Sequence, residues 1–347
     1  MDVASFAISI MTWFGIYALL SLSLNLELGY TGIPNFGKVA FFGIGAIASG
    51  ALASRLMLAI AGMPIDISSR EALFKAGDLI AQTPLTFPIF IFSIVVGASV
   101  AAVFGYLSSY PAIRLKADYL AITLLAFGEV VRIIARTDES IINGPYGVIG
   151  ILNPYRILGG FQTSLLYAVT VWVIVALVFL FIYKLINSPY GRVLKAIRED
   201  ELAAESLGKN SVKIKQQVMI IGSAIAGMAG AIYIHHTGSV QADTFVPLIT
   251  IYIWVMVMLG GRGSYMGALV GSGIFVVMDQ VLLAVATTYK EILFINVNYL
   301  KQIIFMLILI FVIMKMPHGV VKEKAVKTPA LSLVEEELSH AGSREGS

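Results

Sequence analysis

Cysteine is absent from all 347 residues, which excludes disulfides, thiol nucleophiles and Cys-ligated zinc and leaves the redox compartment open. Histidine is scarce, at four. No Asp, Glu or Cys stands at ligand spacing from the adjacent His235 and His236, so these two are expected as interfacial polar residues and not as a metal site. Charge is scarce as well: Asp, Glu, Lys and Arg make up 13 %, against about 25 % in soluble domains. The net charge of +3 is spread along the chain and forms no footprint for nucleic acid. What is abundant is apolar. Residues of that kind reach 58 % and the mean hydropathy is +0.86. A water-soluble body could not cover so much apolar surface, so the solvent of this chain is lipid. Glycine, at 32 residues, exceeds its usual share of ~7 %. In apolar segments that excess signals helices packed at close range.

Apolar stretches with few or no charges delimit nine spans, eight if one short segment dips in and returns. They cover residues 3–26, 39–54, 85–107, 117–136, 165–183, 216–234, 245–259, 266–286 and 297–314. The expected fold is an all-α integral membrane protein, a polytopic bundle of about 8–9 transmembrane helices over residues 1–316. Residues 317–347 carry Glu335, Glu336 and Glu337 and read as a polar, disordered cytoplasmic tail. The first apolar run has no basic segment before it and no clear cleavage site after it, and is read as a retained span.

Lys and Arg favour cytoplasmic loops. Residues 184–215 hold Lys184, Arg192, Lys195, Arg198, Lys209, Lys213 and Lys215, and the tail holds Lys315, Lys322, Lys324 and Lys327. Four crossings separate the two, so both belong on one face, which is expected to be the inside. Counting back puts Arg114, Lys116, Lys38 and Arg262 inside too, with the N-terminus and the loops 55–84 and 137–163 outside. Arg55, Arg70 and Lys75 in the first of those outer loops run mildly against the rule.

Three groups of residues invite a functional reading. Residues 199–207 are strongly helix-forming, with Gly208 as a stop. A short helix there is either a knob for a soluble partner or a solvated connector. Glu129 and Arg132, three apart within a span, share a helix face and can pair. They read either as an ion pair ordering the outer mouth or as partners for a zwitterionic solute. Asn35, Phe36 and Gly37 break the chain at the entrance to the second span, either as a cavity lining or as a tight turn. There is also an internal echo. Asn35-Phe36-Gly37 leads into Gly43-Ile44-Gly45, as Ser264-Tyr265-Met266 leads into Gly271-Ser272-Gly273.

Residues 188–208 carry a resemblance. Glu201-Leu202-Ala203-Ala204-Glu205-Ser206-Leu207-Gly208, preceded by Ala196-Ile197-Arg198-Glu199, resembles the "EAA" loop of permease subunits of ATP-binding-cassette importers. It lacks that motif's downstream Leu-Pro, as the branched-chain amino-acid branch does. Gly29-Tyr30-Thr31-Gly32, Thr123-Leu124-Leu125-Ala126-Phe127-Gly128-Glu129, Asn143-Gly144-Pro145-Tyr146-Gly147, Leu259-Gly260-Gly261-Arg262-Gly263-Ser264 and Met316-Pro317-His318-Gly319 agree in order and spacing. The likeness runs from about residue 15 to 320 and is to permeases of branched-chain amino-acid importers, a pattern that urea and amide importers share. It implies a transport subunit and not an enzyme. It also implies a second permease subunit forming a heterodimer, two cytoplasmic ATPases and an extracytoplasmic solute-binding protein. No Gly-x-x-x-x-Gly-Lys-Ser/Thr phosphate loop is present, so ATP is used by the partner ATPases and this chain binds no cofactor. Carried over by position, the resemblance makes Arg198, Glu199, Glu201, Ala203, Ala204 and Gly208, within a loop spanning 187–215, the ATPase-coupling residues. Asn35, Phe36, Gly37, Thr123, Glu129, Arg132, Asn143 and Gly144 become candidates for the pathway or its gate. Other classes fit less well. An intramembrane enzyme would cluster acids or histidines at one face, and an ion-coupled carrier would need midplane carboxylates, for which only Asp279 qualifies loosely.

Overall fold

A computed structural model describes residues 3–112, 115, 117–288, 291–292, 295–316 and 319–323. Arg114, Lys116, Pro317, His318 and tail residues 324–347, with Lys324 and Lys327, lie outside the described residues. Thirteen α-helices are described: α1 (Val3–Leu24), α2 (Lys38–Ile60), α3 (Arg70–Ala81), α4 (Thr86–Ala112), α5 (Ala117–Thr137), α6 (Glu139–Ile142), α7 (Gly160–Ile186), α8 (Pro189–Glu199), α9 (Glu201–Ser206), α10 (Ser211–Thr237), α11 (Pro247–Gly260), α12 (Tyr265–Thr288) and α13 (Val297–Lys315).

Each of the nine apolar stretches is a helix. Seven, among the described residues, are long and apolar enough to cross a membrane. The other two are α5, whose 21 residues include Asp118, Glu129, Arg132 and Arg136, and α13 with 19 residues. At 1.5 Å rise per residue, about 20 residues span the ~30 Å hydrocarbon core.

The centre is built on glycine. α10 packs on α4 and α2, and α4 packs on α2. At Gly45 and Gly227 the backbones of α2 and α10 come so close that a Cβ on Gly45 would overlap Gly227. A Cβ on Gly271 of α12 would lie 2.8 Å from the Gly260 Cα of α11. These are the close approaches that the runs of small residues imply. Around this centre α1 contacts α7, α10 and α12. Away from it, α7 exposes Val169, Val173, Leu177 and Leu180, a helical stripe suited to lipid.

Helix α3 and a short antiparallel ladder add to the expected spans. The segment 55–84, expected as an outer loop, contains α3, which buries Leu73, Ala76, Gly77 and Ile80. Residues Val148–Ile149 form a two-residue strand, β1, paired antiparallel with β2 (Ser239–Val240), with Val148 opposite Val240. Beside that pair, His235 corrects its assignment as an interfacial residue. It is buried, with Nδ1 2.6 Å from the Leu152 carbonyl and Nε2 2.7 Å from Ser93 Oγ, and so ties α4, α10 and the 148–152 segment together.

Candidate functional site

The segment expected to couple to ATPases differs from the single helix expected over 199–207. Asp200 breaks it, with extended backbone (φ −151°, ψ 105°), and its carboxylate accepts from the Ala203 amide at 3.0 Å. An Asp side chain competes for the backbone and so starts a helix more readily than it continues one. The result is two helices, α8 and α9, and Gly208 at φ +76° ends the second. Arg198 and Glu199 therefore belong to α8, while Glu201, Ala203 and Ala204 lie on α9. Ala204 is buried, but Leu202 and Leu207 are 76 % and 81 % exposed. Lys215 pairs with Glu201 at 2.6 Å and pins α9 to α10. Burial pushes the Glu201 carboxyl up, yet the Lys215 hydrogen bond and charge outweigh it and hold it below the usual carboxylate range.

Arg198 leads from this loop to the end of the first span. Its side chain is 12 % exposed, pairs with Glu323 at 2.9 Å and with Glu199 at 2.7 Å, and donates to the Gly29 carbonyl. Gly29 ends a π-helical turn, Asn25–Gly29, that continues α1. Such turns interrupt the regular ladder and recur at functional positions. Here the turn has a visible cause. Asn25 donates to the Ser264 carbonyl at 2.8 Å and accepts from the Gly263 amide at 3.0 Å. Two residues on, Glu27 receives Lys38 on one carboxylate oxygen (2.7 Å) and Asn35 on the other (2.9 Å). The two echoing breaks, at 35–37 and at 263–266, thus converge on one turn of α1.

Lys38 is fully buried in this pair, which corrects its use as a cytoplasmic loop charge. Asn35 is also fully buried, and its Oδ1 accepts from the Gly37 amide at 2.9 Å. Phe36 stacks on Trp254 with ring centroids 4.3 Å apart. Gly37 packs against the Leu124 backbone so closely that a Cβ would collide with it, which puts half-buried Thr123 of α5 beside the same break. Both carboxylate oxygens of Glu27 are committed to protein partners, an arrangement unlike a free ion-coupling acid.

A second group sits further along α5. Arg132 donates to Glu129 at 2.8 Å and to Asp243 at 3.0 Å, and Arg136 approaches Asp243 at 3.6 Å. Asp243, in the short turn Ala242–Thr244, widens the expected pair into four charges. Asn143 and Gly144, both at positive φ (61° and 55°), form the turn under the Arg136 carbonyl that leads to β1. From Leu124 to Arg132 is eight residues of helix, so the two groups stand about 12 Å apart along α5. The candidate residues are gathered into a group around the 35–37 break, a group around Arg132 and the α8–α9 segment, of which the first and last touch. The sequence reading missed Glu27, Asp243 and Glu323. Glu27 carried a signal, since it ends the first apolar run eleven residues before Lys38.

A family model described as "Branched-chain amino acid transport system / permease component" matches residues 6–313. The chain is 34 % identical over 328 residues to a protein named probable branched-chain amino acid transport permease protein LivM from Methanocaldococcus jannaschii, covering 93 % of this chain and 95 % of that one. It is 28 % identical over 300 residues to the LivM high-affinity permease of Salmonella typhimurium, covering 80 % of this chain and 63 % of that longer protein. The LivH permease of the same organism is 25 % identical over 327 residues, covering 90 % and 92 %. No solved structure matches. With the helical bundle, the broken first helix and the short capped helix between two spans, this match over most of its length shows that the chain belongs to the branched-chain amino acid transport permeases.

Proposed function

We propose that this chain is one permease half of an ATP-driven importer of branched-chain amino acids. It pairs with a second permease of the LivH kind, receives solute from an extracytoplasmic binding protein, and is driven by two cytoplasmic ATPases that grip α9. The face bearing α8, α9 and Glu323 is cytoplasmic, and the face bearing α3, β1 and β2 is external.

The observation that carries the reading is α9. Leu202 and Leu207 stand exposed on a charged segment between two membrane helices, beside a glycine stop with open space around it. Apolar side chains so displayed on a rigid capped helix suit a partner's groove. Of the three basic residues that run against this orientation, Arg55 donates to the Ala51 and Ile141 carbonyls and Lys75 pairs with Glu71, and the larger excess of Lys and Arg around α8 and α9 decides the assignment.

The test is reconstitution with the partner permease, ATPases and binding protein in proteoliposomes, measuring ATP-dependent leucine uptake. Leu202→Asp with Leu207→Asp should leave the permease pair assembled and abolish ATPase co-purification. A cysteine at Gly208 should label only from the cytoplasm, and one at Asn153 only from outside. Uptake that persists without ATPases, or external labelling at Gly208, overturns the reading.

A further inference from the structure

Gly319, which closes the Met316-Pro317-His318-Gly319 motif, and the glycine-rich Gly261-Arg262-Gly263-Ser264 turn have no part in the function described so far, and the two glycine positions Gly319 and Gly261 meet. Beyond α13, residues 319–323 form a short strap. Gly319 adopts φ +66° and lies so close to Gly261 that a Cβ there would be 2.5 Å from the Gly261 Cα. Only glycine takes that φ and that approach without strain. The next two residues bind the strap to the end of α11: the Val320 amide donates to the Leu259 carbonyl and the Val321 amide to the Gly260 carbonyl, both at 2.9 Å.

The strap ends at Glu323. One oxygen receives Lys195 at 2.8 Å and the other receives Arg198 at 2.9 Å. Gly263 admits this arrangement, because a Cβ there would lie 2.6 Å from Glu323 Oε2 and 2.9 Å from Arg198 Nη1. Arg198 is therefore held from two sides, by Glu323 and by Glu199, with Nη1 turned to the Gly29 carbonyl. A guanidinium fixed by charge-assisted bonds presents its remaining donors in one direction. The acceptor is the end of the π-helical turn that also holds Asn25 and Glu27.

We propose that Glu323 is a positioning residue for energy coupling. By holding the Arg198 guanidinium on the Gly29 carbonyl, it links the α8–α9 segment to the broken end of α1, so that displacement of α9 reaches the buried Glu27–Lys38 pair. Lys195 anchors the strap and takes no part in that link. The proposal rests on the importer reading above.

The experiment uses the complete reconstituted importer and reads leucine transported per ATP hydrolysed. Glu323→Gln should lower that ratio about tenfold, the scale of one charge-assisted hydrogen bond, while ATP hydrolysis continues. Arg198→Lys keeps the charge and a tie to Glu323 but loses the fork, and should uncouple to a similar degree. Lys195→Met should stay within about twofold of the wild-type ratio, as expected for a partly exposed pair. An unchanged ratio in Glu323→Gln overturns the proposal. So does a loss in Lys195→Met equal to that in Glu323→Gln, which would make the strap a simple anchor. Should Glu323→Gln not assemble, Arg198→Lys decides: retained coupling there overturns the link. A wild-type complex that shows no solute-dependent hydrolysis defeats the importer reading itself, whereas a coupled wild type beside a coupled Glu323→Gln defeats only this proposal.

Discussion

Lys38 reaches across the break between α1 and α2 to place its ammonium 2.7 Å from the Glu27 carboxylate, and both side chains are wholly removed from solvent. Two opposite charges at that depth stay ionised only as a pair, because either one alone in a low-dielectric interior carries a desolvation cost of several kcal/mol. Asn35 fills the second carboxylate oxygen, and Gly222 of α10 leaves the room, since a Cβ there would overlap Glu27. The break in the chain is thereby a closed and specified junction.

Removing one partner should be far worse than removing both. Lys38→Met or Glu27→Gln alone is expected to cost about 3–5 kcal/mol, while the double variant recovers most of that loss. Thermal unfolding in detergent, arranged as a double-mutant cycle, measures the coupling. Losses that simply add would show that the two residues do not act as a pair.

The charges around Arg132 respond differently because Arg132 has two acidic partners. Exchanging Glu129 and Arg132 keeps their mutual attraction but sets a carboxylate opposite Asp243. The exchange alone should restore little uptake, and adding Asp243→Asn should restore more. Each exposed pair is worth roughly 0.2–1 kcal/mol, so folding should survive throughout. Full rescue by the exchange alone would show that Asp243 has no hold on Arg132.

Gly208 is needed for its backbone and not for its small size. Nothing lies within 4 Å of where its Cβ would be, yet its φ is +76°. Gly208→Val should cost about 1–2 kcal/mol locally through left-handed strain, unseat the end of α9 and abolish uptake with normal expression. Gly208→Asn, which tolerates that φ, should keep most activity. Equal activity of the Val and Asn variants would mark the segment as a connector.

Acid should release α9 from α10. The folded Glu201 carboxyl lies below its ordinary value, so its contribution to stability is present in full above the unfolded value of about 4.3 and is lost as pH falls through the lower folded value. Amide exchange across residues 201–206 should therefore be insensitive to this group between about pH 5 and 8, and rise only in stronger acid. Lys215→Met should raise the pH at which protection is lost. A transition near neutrality would exclude the Glu201–Lys215 pair as its cause.

Sequence by itself determined the solvent, the helical class, the nine apolar helices and the existence of a short capped helix near Gly208. Those follow from properties that each segment carries alone: a run of about 20 apolar residues must satisfy its own backbone in lipid, which leaves it a helix, and a glycine after helix-forming residues permits a stop. The end of the first helix was legible as a break at 29–37, and Glu129 with Arg132 as a pair, because those relations are local. Only the tertiary structure decided that Lys38 is a core residue, that Asp243 joins Arg132 across 111 residues, and that Glu323 closes on Lys195 and Arg198. A charge near a span boundary looks the same in the sequence whether it meets water or a partner from a distant segment. Its fate depends on which backbones can approach closely enough to bury it, and that is set where Gly45 meets Gly227 and Gly260 meets Gly271.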